Sequence, residues 1–168
     1  MIRIKNYYKN FKTSTLQKCI NFLPDEYKNL DITIIIPRNK WHCLRFIYLK
    51  EFYKNLKGIF KKGYCGTSCI KYNKIFLYPF NYIFNDVDYG EIEHIRFINC
   101  LYHEIYHQYQ KQTMPEFFKL YNLNDEYNKT IPYENQIHEI KAKEFASNIS
   151  LKYSDEIFNI IRKEEIHK

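Results

Sequence analysis

The segment Leu101-Tyr102-His103-Glu104-Ile105-Tyr106-His107 holds the residue types best suited to chemistry. Its spacing is His-Glu-x-x-His. On a helix, side chains four apart project from one face, so His103 and His107 can grip one metal ion through their imidazole nitrogens. Glu104 lies about 100° further round the helix and cannot share that ligand geometry. It can reach a water on the metal, take its proton as general base, and pass that proton to a leaving amine. Zinc suits these ligands, because it accepts imidazole in a four-coordinate site and keeps one position for water. The expectation is one Zn2+ ion with Glu104 as the catalytic group.

Two histidines leave a catalytic zinc one protein ligand short. The donors downstream are Glu134, His138, Glu139 and Glu144. On a helix, Glu139 shares a face with Ala142, Phe145, Ala146 and Ile149. That face is apolar and must turn inward, where a carboxylate is costly unless paired or bound to metal. Small Ala142 would let this helix approach the His103–His107 helix. Glu144 lies about 140° round from Glu139 and should face solvent. Glu134 sits near a helix start, where it favours the positive end of the dipole. The residues favour Glu139 and leave His138 and Glu134 open.

The elements that must position these groups can be traced along the chain. Ile95, Ile98, Leu101, Tyr102, Ile105 and Tyr109 recur every three or four residues, predicting a helix over 91–110 with its apolar stripe away from the histidines. Further helices are expected over 134–151 and 154–166, and earlier ones over 15–22 and 41–56. The β-branched run 31–37, ended by Pro37, predicts a strand. Stretches 68–72 and 74–78 flank a tight turn near Asn73 and predict a hairpin. The fold class is α+β, with a small sheet and a helical C-terminal half. A length of 168 residues suits a single domain, 1–168.

Composition sets the setting. Hydrophobic residues make up 45% of the chain, enough for a core, with 17 Tyr and 13 Phe whose rings must pack or find partners. The net charge of +7 comes from scattered lysines, read as solvated faces; nucleic-acid binding is the other explanation. Five cysteines, an odd number without a preceding apolar signal core, imply free thiols in a reducing compartment and a cytoplasmic location. Cys65 and Cys69 have no second Cys/His pair to complete a structural zinc site. No apolar run approaches a membrane span.

His103-Glu104-x-x-His107, followed 32 positions beyond His107 by Glu139-x-x-Ala142-x-x-Phe145-Ala146, resembles the gluzincin-type zinc metallopeptidases. The nearest resemblance is to the small intracellular ImmA/IrrE-like peptidases. It covers roughly residues 66–151 and leaves 1–60 unassigned. The resemblance implies a zincin-like α+β fold, a small mixed sheet with an active-site helix. It implies His103, His107 and Glu139 as zinc ligands, Glu104 as base, and a protein or peptide substrate. It also implies that the strand 74–78 is the edge strand along which an extended peptide lies. Lys141, Lys143 and Tyr106 depart from the family pattern. A lysine at 143 cannot accept the hydrogen bond that supports a zinc histidine.

Tyr106, Tyr133 and His94 are candidates for stabilising an oxyanion, against the plainer role of packed rings. Cys100, one turn before His103, is expected to be a buried thiol, and His42 a packed ring. Two other readings stay open. One keeps the metal without catalysis, as a metal-stabilised interaction or regulatory protein of a phage or mobile element. The other is a basic nucleic-acid-binding protein, for which no binding motif is recognisable.

Overall fold

A computed structural model describes residues 1–49, 52, 59–60, 64–84, 90–116, 130–132 and 135–166. Four short strands form one sheet: β1 (Arg3–Asn6), β2 (Thr33–Ile36), β3 (Gly66–Cys69) and β4 (Lys74–Leu77). Their order is β1-β2-β4-β3. β2 runs parallel to both β1 and β4, while β3 and β4 are antiparallel. The sheet is therefore small and mixed. β2 is apolar on both faces because both are covered. Ile34, Ile36, Ile75 and Leu77 face a helical layer. Ile35, Phe76 and Tyr78 face a second cluster that includes Cys43, Leu49 and Phe52.

The helices are α1 (Thr13–Ile20), α2 (Asp25–Lys28), α3 (Gly90–Thr113), α4 (Ile137–Lys152) and α5 (Ser154–Ile161). A π-helical turn over Arg162–Ile166 prolongs α5. The stripe expected on α3 is its core face: Ile98, Leu101, Tyr102 and Ile105 are buried against the sheet, α1 and α5. α3 packs most extensively against α4. No helix among the described residues is long and apolar enough to cross a membrane.

Several expectations are corrected. The N-terminal residues Arg3–Asn6 form β1, because Ile2 and Ile4 turn toward the core while Arg3 and Lys5 face solvent. β1 and β2 cover the far side of β4, so Lys74–Leu77 is an inner strand and not an edge. The edge beside α3 is β3. The hairpin's first arm is Gly66–Cys69 and not 68–72. A 3-10 turn over Ile70–Tyr72 follows it, closed by Asn73 at φ 50°, a left-handed conformation that asparagine tolerates. The segment expected as a helix over 41–56 begins as a 3-10 turn, Trp41–Phe46, and most of its remainder lies outside the described residues.

Candidate metal centre

α3 and α4 build the site between them. His103 and His107, one turn apart on α3, bring their Nε2 atoms to 3.0 Å. Glu139 enters from the first turn of α4. Its Oε2 lies 3.2 Å from His103 Nε2 and its Oε1 3.2 Å from His107 Nε2. The small residues Ala142 and Ala146 are fully buried and let the two helices approach. Among the described residues, His103, His107 and Glu139 form the one group of three that could hold a metal ion. Metal–ligand bonds of about 2.0–2.1 Å to a tetrahedral centre place neighbouring donors about 3.3 Å apart. The observed spacings are close to that.

The donors are also the right chemical species. Gln110 is completely buried, and its Nε2 donates to the His138 carbonyl at 3.4 Å. That orients its Oε1 toward His107 Nδ1, 3.0 Å away. Nδ1–H of His107 therefore donates to Gln110, and the Nε2 lone pair is left for the site. Burial disfavours a proton on His107, but Glu139, Glu104 and Gln110 together outweigh it and raise its pKa. A pocket that favours a positive charge despite burial suits a cation.

Glu104 is buried beside the triad, with 8% of its surface exposed. Burial raises its pKa; the two imidazoles pull it down, Glu139 pushes it up, and a backbone hydrogen bond at Ser68 lowers it. The carboxylate is thus held near the three candidate donors without joining them. Gly66 of β3 makes room for it: a Cβ there would meet Cys100 Sγ at 3.0 Å and Glu104 Cγ at 3.1 Å. Gln108, also fully buried, donates to Ser68 Oγ at 2.6 Å and to the Lys74 carbonyl at 3.3 Å. Lys111 Nζ reaches the Ile70 carbonyl and Asn73 Oδ1, both at 2.6 Å. These contacts clamp the β3–β4 hairpin onto the end of α3 that carries the histidines.

The other candidate residues sort themselves around this centre. His138 Nε2 lies 3.5 Å from Glu139 Oε1 but is not among the three converging donors. Burial lowers the pKa of His138, with Glu139 working the other way. Glu144 is exposed, as expected, and so are Lys141 and Lys143. Glu134 and Tyr133 lie outside the described residues. Tyr106 packs among Phe145, Tyr109 and Tyr27, with ring centroids 4.9, 6.0 and 6.2 Å away. That aromatic wedge between α2, α3 and α4 occupies it as a packed ring. His94 packs against Phe84 and Phe11, roughly 13 Å back along the helix from His103. Cys100 is a buried thiol hydrogen-bonded to Cys65. Cys65 and Cys69 pack into different apolar clusters. None of the five cysteines is in a disulfide.

Sequence reasoning missed Gly66, Gln108, Gln110 and Lys111. Only the spacing of three between His107 and Gln110 carried a signal, since side chains so spaced meet on a helix. No protein-family model matches the chain, and no curated protein or solved structure matches it either.

Proposed function

We propose that the chain is a zinc-dependent peptidase of zincin-like architecture, cutting peptide bonds of a protein or peptide substrate. The observation that carries this reading is the meeting of three donors, two from α3 and one from α4, with Glu104 buried beside them. His103, His107 and Glu139 would hold the ion. Zinc, when bound, supplies a Lewis acid that makes water more acidic and polarises a carbonyl. Two imidazoles and one carboxylate are a donor set that zinc enzymes use.

The remaining work falls to the chain's own groups. Glu104 accepts a proton from the attacking water and delivers it to the departing amine. Its burial beside the three donors supports that role, because it holds the carboxylate within reach of a water at the site. β3 is the sheet's edge strand among the described residues, and we infer that an extended peptide lies along it, next to Gly66 and Glu104. None of the five cysteines is in a disulfide, which supports a proposed cytoplasmic, reducing setting.

The test is Glu104→Gln. It should keep zinc and fold, measured by metal analysis and thermal melting, and lower cleavage of an unfolded protein substrate by about 10²-fold or more. Glu139→Ala should lose the metal. Cleavage by Glu104→Gln at the parent rate would overturn the mechanism. Stoichiometric zinc without any hydrolysis would leave a metal-stabilised binding protein instead.

A further inference from the structure

A second site lies away from the metal centre, at the carboxyl ends of the parallel strands β1 and β2. The loops that follow them border an open cleft of about 750 Å³. That is within the range of roughly 300–1,000 Å³ for small-molecule sites. Clefts outside the carboxyl ends of parallel strands are the usual ligand position in open α/β sheets.

The lining carries Lys9, Lys12, Arg38 and Arg45 and no carboxylate. Lys12 has an acidic neighbour, Glu164, 3.5 Å away. Lys9, Arg38 and Arg45 have no ion-pair partner among the described residues. Like charges gathered round one concavity repel each other, and an anion relieves that repulsion. The cleft is also held in shape. Asn6 donates to the Phe11 carbonyl at 2.7 Å and accepts from the Tyr8 backbone N–H at 2.9 Å, fixing the loop that bears Lys9. The His42 backbone N–H donates to Asn39 Oδ1 at 2.8 Å, and His42 Nδ1 accepts from the Arg38 backbone N–H at 3.0 Å. The neutral His42 ring therefore keeps its proton on Nε2, a further donor. Glu165 sits beside the start of α1, where it accepts from the Lys12 backbone N–H and the Thr15 hydroxyl.

Aromatic surface completes the site. Tyr7 lines the cleft, is 46% exposed and stands edge-on to His42. Trp41, the single tryptophan, is 71% exposed next to His42 in sequence. A lone phosphate would leave most of the cleft empty, whereas a phosphate carrying a planar ring fits both the volume and the exposed rings.

We propose that this cleft binds a nucleotide, free or as a unit of a single strand, with its phosphate on Lys9, Arg38 and Arg45 and its base against Tyr7.

Trp41 is the built-in reporter. The full-length protein is titrated at low salt with ATP and, separately, with a ten-nucleotide oligothymidylate, following tryptophan fluorescence and calorimetry. Binding of ATP identifies the free nucleotide as the source; binding of the oligonucleotide alone identifies the strand. In either case affinity should fall with added salt and drop at least tenfold in Arg38→Glu/Arg45→Glu. Lys143→Glu/Lys152→Glu, which changes net charge equally elsewhere, should bind as the parent does. Melting temperature and metal content establish that both variants are folded. Failure of both probes to bind at millimolar concentration overturns the proposal. So does equal weakening by the two charge-matched variants, which would mark a net-charge effect.

Discussion

Gln110 Oε1 lies 3.0 Å from Nδ1 of His107, while the same amide's nitrogen reaches back to the carbonyl of His138, the residue before Glu139. One buried side chain thus sets the tautomer of His107, a candidate metal ligand on α3, and ties it to the turn of α4 that carries Glu139. Outer partners of this kind commonly change metal affinity by about 10–100-fold. Gln110→Leu should weaken zinc binding by that factor, measured by competition with a chromogenic chelator. Gln110→Glu keeps an acceptor toward Nδ1 and should recover much of the loss. Equal affinity in parent and Gln110→Leu would remove Gln110 from the site.

Gly66 tests how closely β3 must approach α3. A methyl group there would meet the Phe76 carbonyl oxygen at 3.0 Å as well as Cys100 and Glu104. The carbonyl belongs to the paired strand β4 and cannot swing aside. Overpacking of this sort costs about 1–3 kcal/mol. Gly66→Ala should lower the melting temperature and displace Glu104, so that hydrolysis falls further than zinc affinity does. A variant as stable and active as the parent would show that the strand has slack.

These two residues also mark where reading the sequence stopped. The His-Glu-x-x-His spacing and the inward face of Glu139 were legible because each violates what a solvated helix would carry. The period of α3 and the β-branched run of β2 were legible because burial imposes a pattern. Gln108 and Gln110 were not: a buried amide and a solvated one look alike in sequence, and only tertiary partners distinguish them. β1 escaped because it is four residues long and polar on one face. The edge strand was misplaced for a different reason, since β4 becomes an inner strand only once β2 pairs beside it.

Glu164 predicts an acid-sensitive contact. It accepts from Lys18 and from Ser14, and Lys12 lies 3.5 Å away, joining the turn after α5 to α1. The Lys18 hydrogen bond, with help from Ser14, holds its carboxyl down at about 2, below its ordinary 4.5. A depressed folded value means the contact stabilises fully above about pH 4.5 and fades as pH falls toward 2. The parent should melt above Glu164→Gln at pH 7, and the gap should close between pH 4.5 and 2. A gap independent of pH would show that the ion pairs contribute nothing there.

Cys65 should be the reactive thiol of the five. The Cys100 thiol hydrogen-bonds to it and lowers its pKa below the usual thiol value, against the effect of burial. Burial pushes Cys19 and Cys43 the other way, up to about 12. Only the thiolate attacks an alkylating agent, so iodoacetamide at pH 7 should label Cys65 first in the folded protein, read by peptide mass spectrometry. Replacing the donor shifts the proton balance in a known direction. In Cys100→Ala the thiolate loses its hydrogen bond, and the pH profile of labelling should move upward. An unchanged profile, or faster labelling of Cys19, would show that the Cys65–Cys100 contact does not control the thiol.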